Sequence, residues 1–147
     1  MKKSDVLIVG CGAAGLYCAL NLPKDLSITL ITKSDAESSD SFLAQGGICV
    51  LKDMDDYDSY YEDTMKAGHY ENDPKSVEIM IKSSPDTIKD LIRYGVDFEK
   101  DGEGKLDYTR EGGHSCKRIL YHKDETGKEI TKHLLAAAKK LENATIV

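Results

Sequence analysis

The distribution of apolar and polar positions along this chain predicts an α/β fold. Residues 4–10, Ser-Asp-Val-Leu-Ile-Val-Gly, are too continuously apolar for a half-exposed strand and predict one buried on both faces of a parallel sheet. Residues 13–22 place Leu16, Ala19 and Leu20 on one helical face, and Pro23 ends that helix. Residues 27–33, rich in β-branched side chains, predict a second strand. Strand, helix and strand within about thirty residues is the length of a βαβ unit.

Further along, residues 34–41 are rich in Ser, Asp and Glu and predict a loop, and apolar character returns over 42–51 around Gly46 and Gly47. A helix is predicted near 58–68, with Tyr61, Met65 and Gly68 on one side. Asp73-Pro74 predicts a helix start, Ser84-Pro85 a break and restart, and Gly95 the final cap. Asp101-Gly102-Glu103-Gly104 predicts a hairpin turn between strands at 96–99 and 105–110, and 116–122 another strand. Thr126-Gly127-Lys128-Glu129 reads as a capping box opening a helix to about residue 142, with Ile130, Leu134, Leu135, Ala138 and Leu141 inward. Residues 144–147 begin one more strand. No repeat or low-complexity linker interrupts the pattern. A chain of 147 residues is one domain's worth, and with a strand opening at its last residues it is expected to be the N-terminal part of something longer.

Charge narrows the partners. Twenty basic against 26 acidic residues give a net charge of −6, which argues against general nucleic-acid binding. The apolar runs are far shorter than a membrane span, and the first residues lack the apolar core of a signal peptide, so no membrane partner is expected and the expected location is cytoplasmic. Cys11, Cys18, Cys49 and Cys116 form no Cys-x-x-Cys; free thiols are expected rather than zinc or a redox pair, with Cys11 and Cys18 as small packing residues. His69, His122 and His133 show no metal-ligand spacing, and the acidic run 53–58 reads as a solvated face.

Three clusters carry candidate chemistry. In Gly10-Cys11-Gly12-Ala13-Ala14-Gly15 a strand meets a helix through Gly-x-Gly-x-x-Gly. Gly10 suits the tight turn, Gly12 the close approach of a dinucleotide pyrophosphate, and Gly15 close helix–sheet packing. The helix N-terminus adds amides and partial positive charge. Lys33, at the end of the second strand, stands where an acidic ribose ligand is usual in such fingerprints. It suits adenosine or phosphate oxygens, or is simply solvated. In the second cluster, Phe42-Leu43-Ala44-Gln45-Gly46-Gly47-Ile48, paired glycines expose backbone to a close ligand and the glutamine amide can meet a flavin edge; a glycine bulge in a strand is the plainer alternative. In the third, Thr109-Arg110-Glu111-Gly112-Gly113-His114-Ser115, Arg110 can fork a carboxylate, Glu111 can read an amine, and His114 can orient or shuttle protons; a hydrated surface turn is the alternative.

These stretches, with Arg118-Ile119-Leu120 and Thr126-Gly127, occur in the order found in the succinate dehydrogenase/fumarate reductase flavoprotein superfamily, which the chain resembles, above all its L-aspartate oxidase branch. The resemblance implies a Rossmann-like FAD-binding fold, incomplete at the C-terminus, with the family's capping domain and its catalytic Arg and His beyond residue 147. It implies that Gly10, Cys11, Gly12, Ala13, Ala14, Gly15, Lys33, Asp40, Ser41, Phe42, Leu43, Ala44, Gln45, Gly46 and Gly47 contact FAD. Asp40 stands where succinate dehydrogenases carry a flavin-linking histidine, so FAD is expected to be non-covalent. Glu111 replaces the uncharged residue of fumarate reductases and would meet the substrate's amino group, with Arg110 and His114 on the substrate side. The implied reaction is oxidation of L-aspartate to iminoaspartate in NAD biosynthesis, the Cα hydride passing to the flavin and oxygen or fumarate accepting the electrons, with quinolinate synthase as a candidate partner. A fumarate reductase or succinate dehydrogenase-like flavoprotein, a silent nucleotide-binding fragment and an NAD-dependent dehydrogenase are the rival readings.

Overall fold

The computed structural model describes residues 3–147; Met1 and Lys2 lie outside the described residues. The chain divides into two compact units. One comprises the described residues up to Gly46 with Tyr94–Val96 and Asp124–Val147; the other comprises Gly47–Arg93 and Asp97–Lys123.

The first unit is a parallel α/β layer. Strand β1 (Val6–Val9) leads into helix α1 (Ala13–Asn21), then strand β2 (Ile28–Ile31). A short 3-10 turn (Ala36–Ser38) and helix α2 (Asp40–Leu43) follow; helix α5 (Thr126–Ala138) and strand β5 (Ala144–Ile146) complete the unit. The sheet order is β1-β2-β5, all parallel, with Ile28 opposite both Val6 and Ala144. Parallel neighbours need a crossover, and α1 supplies it. Leu16, Ala19, Ile28, Leu30, Leu134 and Ala138 form the buried interior. Expectation and structure part at β1. Ile8 faces Gly15 of α1, but Leu7 and Val9 point the other way and are 58% and 78% exposed. That face of the strand is uncovered among the described residues, so β1 is not buried on both sides.

Two further differences concern helix starts. Residues 40 and 41, at the end of the stretch expected to be loop, begin a helix that runs to Leu43, because the Ser39 hydroxyl accepts from the Phe42 amide as an N-cap. The capping box at Thr126 does not form. The helix opens one residue earlier, which puts Thr126 inside the first turn, where it is buried, while Glu129 pairs with Nε2 of His133 at 3.0 Å. Cys18 is exposed rather than a packing residue, and all four cysteines are free.

The second unit holds helices α3 (Tyr57–Ala67) and α4 (Pro74–Arg93) beside an antiparallel pair of short strands, β3 (Ile48–Cys49) and β4 (Ile119–Leu120). Only these two residues of the stretch 116–122 are strand. Tyr60 and Met65 are buried in the core with Leu51, Val77 and Ile81, and Tyr61 packs against it partly buried. The turn at Asp101 forms as expected: its side chain accepts from the amides of Glu103 and Lys105, while the flanks pair through a bridge between Lys100 and Leu106 rather than full strands. Gly95, just beyond α4, has φ +102°, the left-handed turn that glycine tolerates.

Helix α4 runs unbroken through Pro85 for 20 residues. Val77, Ile81, Ser84, Ile88 and Leu91 lie inward at helical spacing, so burying the whole stripe favours one rod. Proline has no amide hydrogen for the Ile81 carbonyl. The Ser84 hydroxyl donates to that carbonyl instead, at 2.7 Å, and accepts from the Leu51 amide at 2.9 Å. Ser84→Ala strands both buried groups. It is expected to cost about 2–4 kcal/mol in urea unfolding; a loss below about 0.5 kcal/mol contradicts this role.

Candidate functional site

The first unit builds a cradle around the first cluster. The Gly10 amide continues the sheet by donating to Ile31 at 2.8 Å, and its φ of +108° then turns the chain out of β1. Gly12 is the N-cap of α1 and offers no side-chain cap; the first closing bond runs from the Leu16 amide to the Gly12 carbonyl at 3.0 Å. The amides ahead of it have no partner within the helix, and the first turn carries no acidic residue.

Two glycines, Gly15 and Gly127, are required by backbone contact, and a third, Gly12, lies close to a side-chain hydroxyl. A Cβ on Gly15 would meet the Gly10 carbonyl at 2.1 Å, so glycine lets α1 seat against the end of β1. A Cβ on Gly12 would lie 2.8 Å from Oγ of Ser41, which brings α2 to the turn. A Cβ on Gly127 would meet the Ser41 carbonyl at 2.1 Å and the Ala44 carbonyl at 2.6 Å, and the Gly127 amide donates to Ala44 at 2.9 Å. The first cluster, residues 41–44 and Thr126-Gly127 are thus one packed assembly. Uncapped amides, no carboxylate in the first turn and a glycine where ligand and Ser41 approach fit a dinucleotide pyrophosphate.

Lys33 lies two residues beyond β2 and is exposed. It does not line the open cleft of about 900 Å³ at the ends of β2 and β5; its neighbours Thr32 and Ser34 do, with Asp35, Glu37 and Ser38. Asp35 and Glu37 belong to the stretch 34–41 that the sequence marks only as loop. Leu43, Ala44, Gln45 and Gly46 are exposed, and Asp40 is exposed in the first turn of α2.

The second unit joins the remaining glycine of the second cluster to the third. The Gly47 amide donates to the Glu111 carboxylate at 3.3 Å. Gly47 itself leaves no space for a side chain: a Cβ would be 2.2 Å from Ile119. The loop closes through the His114 amide on the Glu111 carbonyl, with Gly113 at φ +86°. His114, Gly112, Gly113, Gly47, Cys49, Tyr60 and Asp63 are among the walls of a cleft of about 520 Å³. Arg110 is exposed and does not line it.

What holds that loop is Arg118, which is fully buried and which the sequence distinguishes only as part of Arg118-Ile119-Leu120. Its Nε and Nη2 fork onto Asp56 at 3.1 and 2.8 Å, Nη2 also reaches Ser59 at 2.7 Å, and Nη1 reaches Asp63 at 2.6 Å and Nδ1 of His114 at 3.1 Å. Its guanidinium lies 5.0 Å from the Tyr60 ring centre. Asp56, read as part of a solvated run, is instead buried, because the guanidinium needs a carboxylate beside it. Asp63 also accepts from the Ser115 amide and hydroxyl at 2.7 and 2.8 Å.

Burial alone would raise the carboxyl of Asp56; bonds from Arg118, the Cys116 thiol and Ser59 outweigh it and hold the group well below the usual range. Asp63 follows the same pattern, its burial outweighed by Ser115 and Arg118. Burial pushes the Cys49 thiol up, partly offset by the Tyr60 hydroxyl and Arg118, and it pushes Tyr60 up as well. Among the described residues no group of three or more His, Cys, Asp and Glu is placed to hold a metal ion, and no helix is long and apolar enough to cross a membrane.

Residues 5–147 match the family described as FAD binding domain. The chain is 48% identical to an L-aspartate oxidase of Clostridium perfringens over 100% of its own length and 34% of that protein's. It is 43% identical to an L-aspartate oxidase of Clostridium acetobutylicum, over 99% and 33%. The chain therefore spans about a third of the length of these relatives. Among solved structures, the FrdA chain of an E. coli quinol fumarate reductase superposes with a TM-score of 0.90 at 24% identity, covering 97% of this chain and 25% of that one. Mycobacterium smegmatis Sdh1 in complex with UQ1 gives 0.84 at 25% identity, over 97% and 27%.

The lowered carboxyls of Asp56 and Asp63 set an acid limit. An ordinary Asp titrates near about 3.9. With the folded values lower, the stability these groups contribute is complete above that pH and is lost as pH falls below it toward the folded values. Asp56→Asn is expected to cost about 3–5 kcal/mol at pH 7 by urea unfolding and to flatten the acid-side decline. Wild-type stability and an unchanged slope would count against the pair.

Proposed function

The chain belongs to the FAD binding domain family, and we propose that it is the N-terminal part of an FAD-dependent L-aspartate oxidase that converts L-aspartate to iminoaspartate for NAD biosynthesis. The observation that carries this reading is the Glu111 carboxylate, held 3.3 Å from the Gly47 amide beside a cleft-lining glycine pair. The L-aspartate oxidase relatives, similar over essentially the whole chain, support it.

Bound FAD supplies the two-electron oxidising capacity. The protein's part is to bind and orient. The uncapped amides at Gly12–Gly15 take the pyrophosphate, and Lys33 with residues 40–47 completes the contacts to a non-covalent FAD, Asp40 standing in place of a linking histidine. Glu111 is an acceptor-only group when ionised, so it favours a ligand that brings an ammonium and disfavours a plain dicarboxylate. His114, in the cleft wall, serves a substrate carboxylate, while Arg110 on the same loop stays exposed outside that cleft. Oxygen or fumarate takes the electrons, quinolinate synthase consumes the product, and the protein acts in the cytoplasm. A fumarate reductase-like function is the second reading; the fold resemblance fits it, but the charge at Glu111 does not.

In the full-length protein, Glu111→Gln removes the carboxylate that pairs with the ammonium. Its kcat/KM for aspartate is expected to fall about 10- to 100-fold while succinate or fumarate turnover holds or rises. Anaerobic bleaching of the wild-type flavin by aspartate and not by succinate is the companion result. Unchanged discrimination in steady-state kinetics, or bleaching by succinate alone, removes the reading.

A further inference from the structure

A guanidinium carries five N–H hydrogens and no acceptor. In Arg118, which has no exposed surface, all five are used: two on Asp56, one on Ser59, one on Asp63 and one on Nδ1 of His114. Since Arg118 can only donate, Nδ1 must accept. The opposite tautomer would set two hydrogens against each other and orphan a donor in a fully buried group. The ring hydrogen therefore sits on Nε2, the nitrogen 3.3 Å from Sγ of Cys49 in the cleft wall. Sulfur is a weak acceptor, so a charged oxygen entering the cleft competes well for that hydrogen. The ring cannot swing freely: Tyr60 meets it edge-on with ring centres 6.3 Å apart, and Asp63 grips the next residue through both the Ser115 amide and hydroxyl.

We propose that Arg118 is a positioning residue that locks His114 as the neutral Nε2–H tautomer, so that His114 meets the cleft as a fixed hydrogen-bond donor to a carboxylate oxygen and does not take protons through Nε2. Of the two roles open to His114 in the sequence, orienting and shuttling, this selects the first. The identity of the carboxylate ligand rests on the proposed function; the tautomer does not.

The test uses the full-length protein with histidine selectively labelled with 15N, His114 being assigned from the signal lost in His114→Gln. The expected spectrum shows Nδ1 unprotonated and Nε2 protonated. Arg118→Lys keeps a cation beside Asp56 and Asp63 but has no fork to reach His114, and its His114 signals are expected to move to a mixture of tautomers. A merely structural role for Arg118 would lower stability and leave the tautomer alone. An Nδ1–H tautomer in the wild type, or an unaltered spectrum in Arg118→Lys, overturns the proposal. In kinetics, His114→Leu is expected to raise KM for the dicarboxylate about tenfold, and His114→Gln, whose amide can place N–H near the position of Nε2, to recover most of it. Equal KM in both variants overturns the donor role. If the tautomer is as expected and aspartate is not a substrate, the proposed function fails and the Arg118 lock stands.

Discussion

Arg118 is the constraint on which the second unit depends. A charge taken wholly out of water must be matched donor by donor, and here the matching acceptors come from Asp56 just before α3, from α3 itself and from the loop before β4. The consequence is geometric. Asp56 and Ser59 fix the start of α3, Asp63 its second turn, and His114 and Ser115 the loop, all around one planar group. Such a cluster adds little net stability compared with a well-packed apolar core, but removing any member is costly. It therefore specifies an arrangement, and the arrangement is what presents Glu111 to Gly47.

In the first unit the same task falls to small residues. Gly12, Gly15 and Gly127 each stand where a Cβ would strike another backbone or the Ser41 hydroxyl. Helix ends and turns approach closely there because nothing intervenes, and the uncapped amides of α1 remain open to an anion. A cofactor phosphate needs backbone within reach, and only glycine permits that approach without a side chain in the way.

Much of this was legible beforehand. The Gly10–Gly15 turn, the strand–helix–strand order, the Asp101 turn and the Gly95 cap were all read from local rules, and local rules suffice where a residue's own backbone preference decides the outcome. The failures share a cause. Pro85 was expected to break α4 because proline's effect was considered without Ser84 covering the freed carbonyl. Asp56 was assigned to solvent because its partner lies 62 residues away. Thr126 looked like a cap because burial of its side chain is a tertiary fact.

The sequence by itself determined the local grammar: which residues can turn, cap and leave room for a phosphate, and that the three clusters follow one another in a flavoprotein's order. Those properties belong to single residues and their near neighbours. Only the tertiary structure decided which clusters meet, that Gly47 donates to Glu111, and that a buried arginine hands its last hydrogen to His114. Pairings across 60 or so residues depend on which charges lose their water together, and no local spacing encodes that.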